Sequence, residues 1–461
     1  MTFKTNLSIV DIGMAKLFGT NGIRGVFGEE LSLDFVSRIT LSIANFFKKG
    51  PILIGYDGRK SSMILVKVVT AALSSSGIDC AICGLVPTPC LQFATKKLGY
   101  NGGIMITASH NPPQYNGLKV IARDGIEISR KDELKVEEYY FKNNWKFSGK
   151  FGSIKIESEA TKAYFSGIKK HVNVQKIKSR NFKVVLDLGN GAQAVTAPTL
   201  CRNLGCDVIT INEKIDGSFP GRGSEPTPQN LNKLSREVVK SKADFGIAFD
   251  GDGDRSIFCD ESGKIITGDR SALLLSRYIL DSHPRSKIVT SINSTMMIEK
   301  LAAKAASTVK RTRVGSVEIS RKMVDEKAII GFEENGGFMY GKHNQVRDGS
   351  MAMVMLLDLL ANSNTSLSQE MNSLPPSFTT KRKIECSKDD FKKIIRILKN
   401  EPFKKDLTDG VKMFLDQSSW IMVRLSGTEP IARIYAESSS QDSLKYFLAK
   451  YMSKIKTAVG R

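Results

Sequence analysis

The chain lacks the features that would indicate a membrane or extracellular protein. Its seven cysteines are odd in number and scattered from Cys80 to Cys386, which does not form a disulfide framework in a chain of 461 residues. No uninterrupted apolar run reaches about 18 residues, so no segment is expected to span a membrane. The first fifteen residues contain Lys4 as their one basic residue and no apolar block, which argues against a secretory signal. We therefore expect a cytoplasmic protein.

Acidic residues are too few to balance the basic ones, and the net charge is +21, from 68 Lys and Arg against 47 Asp and Glu. The basic residues are spread along the whole chain, and no helix or loop interleaves them with aromatic residues. The charge is compatible with a phosphate-rich ligand, a dispersed solvated surface or nucleic acid. We expect small phosphorylated ligands, with neither a nucleic acid nor a membrane as partner.

Strands and helices alternate along most of the chain, joined by short loops that contain Gly or Pro. A helix near 32–48 is followed by a strand at 51–56. The same alternation of strands and helices begins again at the strand at 183–188, and a third time at the helix at 269–281. A segment at 362–380 is rich in Ser, Asn and Pro, which predicts a linker. After this segment the strands and helices follow one another in a different order. The length allows about three or four domains. The pattern predicts three similar α/β layer units and a smaller α+β domain.

One polar loop follows a short apolar strand at 104–106 and contains Ser109 and His110. Prolines stop this loop from becoming helical, and Asn116–Gly117 predicts a tight turn that brings Lys119 back toward it. A loop at the carboxyl end of a strand is a usual place for a reactive side chain in an α/β enzyme. Ser109 is therefore the candidate nucleophile. A capping serine in an ordinary turn is the alternative.

Two other loops have groups that suit a phosphate. The glycine-punctuated loop at 19–25 can bring backbone N–H groups and the Arg24 guanidinium onto an oxyanion, although a surface turn with a solvated arginine fits equally. The second loop follows the strand at 420–423 and combines arginine, hydroxyl groups and a flexible glycine, which suit a tetrahedral dianion. Its candidate residues are Arg424, Ser426, Gly427, Thr428 and Arg433.

Three carboxylates occupy alternate positions after the apolar strand at 245–249. Asp250, Asp252 and Asp254 can converge on one hard cation, and the glycines between them allow the loop to fold around it. A calcium-binding EF-hand is the competing interpretation, but it needs glycine where Arg255 stands, and helices where the flanks read as strands. A merely acidic turn is the other alternative. We expect a metal-binding loop.

A further loop at 331–337 also follows an apolar strand. Its Glu333 and Asn335 side chains are planar groups that can engage neighbouring sugar hydroxyls, although a solvated loop is equally plausible from this segment alone. Together the loops supply a nucleophile, a metal site, cations, a sugar-binding loop and a phosphate-binding loop. The combination indicates phosphoryl transfer on a phosphorylated sugar.

These motifs, in this order, resemble those of the α-D-phosphohexomutase family, which includes phosphoglucomutase, phosphomannomutase and phosphoglucosamine mutase. The matching stretches are Gly19–Gly25, Thr107–Pro112, Asp250–Arg255, Glu333–Gly336 and Arg424–Pro430. The resemblance covers nearly the whole chain and implies four domains around one central cleft. We place them at 14–155 with the phosphoserine loop, 156–265 with the metal loop, 266–368 with the sugar-binding loop and 369–461 with the phosphate-binding loop.

The resemblance also implies the chemistry. Ser109 would be phosphorylated, and one Mg2+ would be held by Asp250, Asp252, Asp254 and the phosphate on Ser109. The phosphoserine would interconvert a hexose 6-phosphate and a hexose 1-phosphate through a bound hexose 1,6-bisphosphate, which also serves as primer. The implied roles are charge neutralisation by Arg24, Lys119 and Arg255, proton transfer by Lys119, His110 or Arg24, sugar binding by Glu333 and Asn335, and binding of the non-reacting phosphate by Arg424, Ser426, Gly427, Thr428 and Arg433.

The sequence departs from the family pattern in places, and Leu425 is a minor variation among them. Asn335 and Gly337 stand where many members have Ser and His, and Ser316 stands where some place His. The expected substrates are glucose and mannose phosphates, with glucosamine 6-phosphate as the alternative. A phosphatase or phosphoryl carrier would be a different class, as would a nucleic-acid-binding protein. A homo-oligomer is compatible with the sequence.

Overall fold

The computed structural model describes residues 17–145, 147, 149–426 and 431–459. They form four sheets, each covered by its own helices, and we refer to the four units as domains I to IV. The first three sheets contain parallel pairs, and the fourth is antiparallel throughout. The predicted fold class, three α/β units and a smaller α+β unit, is confirmed. Within these residues no helix is both long and apolar enough to cross a membrane.

Domain I contains a six-stranded sheet in the order β1-β5-β4-β2-β3-β6. Strands β2 and β4 are apolar and buried, as expected for parallel strands that have a helix layer on both faces. The elements are β1 (Ile23–Val26), α1 (Leu33–Phe47), β2 (Ile52–Tyr56), α2 (Ser62–Ser75), β3 (Cys80–Leu85), α3 (Thr88–Lys97), β4 (Gly102–Ile106), β5 (Tyr115–Ala122), α4 (Arg130–Phe141) and β6 (Ile154–Ile156).

Domain II has a five-stranded sheet in the order β11-β10-β9-β7-β8. Strand β9 is buried along its whole length and ends directly before Asp250, the first residue of the predicted metal loop. The elements are α5 (Ala160–Lys169), α6 (Val174–Ser179), β7 (Lys183–Asp187), a 3-10 turn (Ala192–Val195), α7 (Ala197–Asn203), β8 (Asp207–Ile211), α8 (Asn232–Ser241), β9 (Phe245–Phe249), β10 (Ser256–Asp260) and β11 (Ile265–Ile266).

Domain III has a four-stranded sheet in the order β13-β12-β14-β15. Its α12 is buried on almost all sides and packs against both β15 and β10, so it joins the cores of domains II and III. The elements are α9 (Gly268–Ser282), β12 (Lys287–Ser291), α10 (Met297–Lys304), β13 (Thr308–Thr312), α11 (Ser316–Glu326), β14 (Ile330–Phe332), β15 (Phe338–Tyr340), α12 (Gly349–Ser363) and α13 (Leu367–Asn372).

Domain IV has a five-stranded sheet in the order β16-β20-β19-β18-β17. On one face of the sheet, the side chains of Val423 and Ile434 pack into the core beneath the helices of domain IV. The opposite face, which we call the inner face, packs Trp420 and Tyr435 against Ile292 of domain III. The elements are β16 (Phe378–Glu385), α14 (Lys388–Lys399), β17 (Lys404–Asp406), β18 (Val411–Phe414), β19 (Trp420–Leu425), β20 (Ile431–Ser438) and α15 (Gln441–Ala458).

The predicted turn at Asn116–Gly117 is wrong, because both residues lie inside β5. The Asn116 amide donates hydrogen bonds to the hydroxyls of Ser61 and Ser62. A Cβ at Gly117 would lie 2.2 Å from the carbonyl oxygen of Ile23, so glycine serves close strand packing and not a turn. The chain nevertheless reverses direction, because β5 runs antiparallel to β4 and carries Lys119 back.

The predicted linker at 362–380 is mostly ordered structure. Helix α13 lies inside it and begins with a capping box, in which Ser366 and Gln369 exchange side-chain and backbone hydrogen bonds. The end of the segment belongs to β16. The Ser-rich composition therefore reflects a helix cap as well as a connection. The domain boundaries given above remain a prediction.

Candidate active site

The Ser109 loop joins β4 to β5 and holds the serine in the left-handed backbone region, with φ of 51°. The Ser109 Oγ donates to Asp250 Oδ2 at 2.9 Å, and His110 Nδ1 lies 3.4 Å from the Ser109 Oγ. The Ser109 backbone N–H donates to the Thr107 hydroxyl at 2.8 Å. A strained serine held against the first carboxylate of the acidic loop is an arrangement typical of functional sites.

Arg59, which the sequence interpretation missed, fixes the shape of this loop. Its guanidinium is buried and donates to four backbone carbonyls, those of Ser109, Asn111, Pro112 and Tyr115, at 2.7 to 2.8 Å. Its Nε donates to Asp57 Oδ2 at 3.1 Å. A planar fork with five donors can satisfy all these acceptors at once, and an ammonium cannot. The residue follows β2, so its place at a strand end was a usable signal.

Arg59→Lys is expected to lower kcat by about a hundredfold with a smaller change in KM, because displacing the Ser109 loop by about 1 Å disturbs the attack geometry. Steady-state kinetics on purified protein would measure both constants. The matched control is Arg180→Lys, since Arg180 also bonds a backbone carbonyl, but that of Leu360 in α12. Equal kcat values for the two variants would contradict a positioning role for Arg59.

The acidic loop after β9 brings three carboxylates together. Oxygen atoms of Asp250, Asp252 and Asp254 lie within 4.8 Å of one another, and all three residues are buried. Within the described part of the chain, Asp252 Oδ1 and Asp254 Oδ1 are buried and accept no hydrogen bond. Strands flank the loop on both sides, which excludes the EF-hand alternative. Buried carboxylate oxygens with free lone pairs fit a hard divalent cation such as Mg2+.

Lys119 partly neutralises this loop. Its Nζ donates to Asp252 Oδ2 at 2.7 Å and to Asp254 Oδ2 at 3.1 Å. Burial lowers the pKa of Lys119, but the two carboxylates outweigh burial and leave that pKa above its usual value. Burial raises the pKa of Asp252, but the ammonium and the hydrogen bonds outweigh it and leave the pKa below its usual value. Asp250 lies among carboxylates, and burial followed by the charges of Asp254 and Asp252 raises its pKa well above the usual value.

Two arginines contact the Ser109 loop and the acidic loop. Arg24 donates to the Asn111 side chain at 2.6 Å, and burial lowers its pKa to about 10. Arg255 donates from its backbone N–H to Asp250 Oδ1 at 3.1 Å. Burial, followed by the charges of Arg255 and Arg24, lowers the pKa of His110 well below its usual value, which favours the neutral imidazole. The site therefore combines negative charge for a metal with positive charge for an anion.

Arg347 connects the acidic loop to the predicted sugar-binding loop. Its guanidinium donates to Asp254 Oδ2 at 2.5 Å and to Glu333 Oε2 at 2.7 Å, and its side chain is 4% exposed. Asn335 accepts from the backbone N–H of Gly337 at 3.2 Å and so shapes its own loop. The sequence did not identify Arg347 as a site residue, because its partner Asp254 is 93 positions away.

The remaining predicted residues belong to domain IV. Arg424 on β19 and Arg433 on β20 are direct cross-strand partners, and Arg424 Nε lies 3.0 Å from the Asp409 carboxylate. The Ser426 backbone N–H donates to Ile431 at 2.9 Å across the base of the loop. Gly427 and Thr428 lie outside the described residues. Two arginines placed directly opposite each other favour a bound anion.

Comparison with known proteins decides the family. Models of the phosphoglucomutase/phosphomannomutase domains match in order along the chain: α/β/α domain I at residues 15–147, domain II at 162–263, domain III at 267–378 and the C-terminal domain at 381–453. The chain belongs to the phosphoglucomutase/phosphomannomutase family. It is therefore an isomerase of the phosphomutase type, and the resemblance inferred from the motifs is confirmed.

Several members of this family are similar over nearly their whole length. The phosphoglucosamine/phosphogalactosamine mutase of Sulfurisphaera tokodaii is 42% identical, over 93% of this chain and 96% of that protein. The phosphoglucomutase/phosphomannomutase of Thermococcus kodakarensis is 36% identical, over 94% and 97%. The crystal structure of a phosphoglucomutase/phosphomannomutase family protein from Burkholderia thailandensis has a TM-score of 0.86 at 25% identity and covers 96% of this chain and 97% of that one.

The departures from the phosphoglucomutase/phosphomannomutase motifs have local physical reasons. A Cβ at Gly337 would lie 2.3 Å from Arg347 Cδ, so the missing side chain makes room for the arginine that joins Asp254 to Glu333. Ser316, where some members place His, begins α11, and its hydroxyl lies 2.7 Å from the Asn21 side chain in the glycine-rich loop of domain I. Ser316 therefore joins domains I and III beside the site.

Proposed function

We propose that this protein interconverts hexose 6-phosphates and hexose 1-phosphates by transferring a phosphoryl group from Ser109 to the sugar and then from the sugar back to Ser109. The observation that carries the proposal is the contact between Ser109 Oγ and Asp250 within a buried triad of aspartates that Lys119 also contacts. Phosphoryl transfer depends mainly on positioning and on neutralising the charge of the moving group. These residues, with Arg24 and Arg255, supply both.

Asp250, Asp252, Asp254 and the phosphorylated Ser109 would hold one Mg2+, because the unpartnered carboxylate oxygens fit a hard cation. When bound, the ion acts as a Lewis acid toward a phosphoryl oxygen. The chain positions the nucleophile through Arg59 and aligns the acidic and sugar-binding loops through Arg347. Arg424 and Arg433, with Ser426, Gly427 and Thr428, would bind the phosphate that is not reacting.

The reaction is a transfer followed by its reverse at the other end of the sugar. The sugar hydroxyl oxygen forms a bond to phosphorus, the bond to Ser109 Oγ breaks, and a base passes the proton of the hydroxyl to the departing Ser109 Oγ. The resulting hexose 1,6-bisphosphate turns over in the site, its other phosphate returns to Ser109, and the proton returns to the departing oxygen. A free hexose 1,6-bisphosphate would prime the unphosphorylated enzyme.

His110 is the candidate base that suits proton transfer best. The Lys119 ammonium already donates to two carboxylates, and a guanidinium has no acceptor, whereas a neutral imidazole has one acceptor nitrogen. His110→Gln is expected to lower kcat by about a hundredfold or more, since general base catalysis contributes about 10²- to 10⁴-fold. Single-turnover transfer from the phosphorylated enzyme would measure the step. A rate equal to that of the unchanged enzyme would exclude His110 as the base.

The preferred sugar is the finer part of the proposal. Glucose and mannose phosphates are our first candidates, with Glu333 and Asn335 on the hydroxyls. Glucosamine 6-phosphate is the second, and the name of the Sulfurisphaera tokodaii relative favours it. Parallel assays of the three hexose 6-phosphates with Mg2+ and a trace of the matching 1,6-bisphosphate would separate them. Release of inorganic phosphate in place of a hexose 1-phosphate would contradict the mutase proposal.

A further inference from the structure

The inner face of the domain IV sheet carries a row of cations near the phosphate-binding loop. Residues in register across adjacent strands share a face, and Lys383 on β16 pairs with Arg433 on β20, which pairs with Arg424 on β19. The next row inward contains Tyr435 and Met422, which pack toward Ile292 of domain III. The cation row therefore lies on the face that domain III covers, at the end where the loop after Ser426 begins.

Lys381, two residues before Lys383, shows what this face of β16 meets. Its Nζ lies 3.2 Å from Glu334 Oε1 in the sugar-binding loop, and the Glu334 charge raises the pKa of Lys381. From Lys381, β16 runs toward the phosphate-binding loop, because Glu385 at the end of the strand pairs with Ile431, the first described residue after that loop. Lys383 lies between these two points, about 7 Å from each along the strand.

We propose that Lys383 is a phosphate-binding residue that holds the non-reacting phosphate of the sugar phosphate together with Arg424 and Arg433. The inference rests on the proposed function and deepens it. Lys383 is exposed, so its ammonium is accessible to a ligand, and its flexible stem carries one point charge to a dianion. A phosphate that contacts Arg424 and Arg433 lies beside Lys383, because the three residues are in register across adjacent strands.

If Lys383 has this role, it should contribute to binding whether the hexose carries its phosphate at the 1-position or at the 6-position. The same cation row receives the 6-phosphate when the 1-position reacts and the 1-phosphate when the 6-position reacts. Lys383 is therefore expected to strengthen binding of both monophosphates by the same factor. It is also expected to reduce escape of the bisphosphate, which carries a phosphate in the row in both orientations.

Arg382 provides a matched control in the same strand. It pairs with Ile434, whose side chain lies in the core under the helices, so Arg382 lies on the opposite face from Lys383. Both residues are exposed and carry one positive charge. Removing either changes the net charge of the protein equally, and only Lys383 faces domain III.

The test is calorimetric binding of glucose 6-phosphate and glucose 1-phosphate to Lys383→Ala and Arg382→Ala, with steady-state kinetics alongside. Lys383→Ala is expected to weaken both affinities by about three- to tenfold, as befits one exposed charge on a dianion, and to raise KM by the same factor with kcat within about twofold. Lys383→Arg, which keeps the positive charge, should retain the affinity and the KM of the unchanged protein. Arg382→Ala should change neither constant by more than about twofold.

Two results would overturn the proposal for Lys383: unchanged affinity in Lys383→Ala, or an equal loss in Arg382→Ala, which would reduce the effect to net charge. The proposed function fails differently. If the unchanged protein binds the two sugar phosphates without interconverting any hexose phosphate, the mutase proposal falls while the comparison of the two variants still decides the role of Lys383. If the unchanged protein binds no hexose phosphate, with mannose 6-phosphate and glucosamine 6-phosphate included in the panel, both proposals fall.

Discussion

Ser109→Ala is expected to abolish mutase activity, with a fall of at least about a thousandfold, because the hydroxyl that carries the phosphoryl group is removed. The buried Ser109 Oγ lies against Asp250 and beside His110. The measurement is conversion of a hexose 6-phosphate to the 1-phosphate in the presence of Mg2+ and a bisphosphate primer.

The fold of the Ser109→Ala variant should survive, because Arg59 bonds the backbone of the loop and not the serine hydroxyl. Its melting temperature is expected to stay close to that of the unchanged protein. Ser235→Ala is the matched control, since Ser235 bonds the carbonyl of Gly263 at the β10–β11 turn. Full activity in Ser109→Ala would end the assignment of the nucleophile.

Asp252→Asn is expected to lower kcat by about a hundredfold and to raise the Mg2+ concentration for half-maximal activity by about tenfold or more. The two oxygens of the Asp252 carboxylate have separate roles. Asp252 Oδ2 accepts from Lys119 at 2.7 Å and from the Thr88 hydroxyl at 2.5 Å, which leaves Oδ1 as the oxygen with no hydrogen bond. Asparagine preserves the shape and removes the charge, so excess Mg2+ should restore part of the rate.

Metal binding can be measured without turnover, by following paramagnetic Mn2+ on addition of each protein. Asp252→Asn should bind Mn2+ more weakly than the unchanged protein, while Asp207→Asn, a change on an exposed residue of domain II, should bind it equally. An unchanged Mg2+ dependence together with equal Mn2+ affinity would show that Asp252 does not serve a metal.

Much of the site followed from one regularity of the sequence. Asp250 and Glu333 come directly after an apolar strand and Ser109 comes three residues after one. The carboxyl ends of neighbouring strands are where α/β proteins place functional loops. The same rule covers Arg59, which follows β2 within the stretch Asp57–Gly58–Arg59. It was missed because its hydrogen bonds go to backbone carbonyls of another loop, which no local pattern reveals.

The errors arose where one residue type serves two physical purposes. Gly117 reads as a turn, yet the structure uses it to bring β5 against Ile23. The serines near 366 read as linker, yet Ser366 caps a helix. Arg347 had no signal in its own segment, since its role depends on Asp254 and Glu333 meeting across two domains. Contacts of this kind require the folded chain.

Phosphate mapping tests the central claim most directly. The protein would be incubated with a hexose 1,6-bisphosphate and Mg2+, digested, and its peptides examined by mass spectrometry for a phosphoryl group. We expect one phosphoryl group on Ser109, lost again when a hexose monophosphate is added and recovered in the bisphosphate. Phosphate on another residue, or an enzyme that turns over with Ser109 never phosphorylated, would contradict the account.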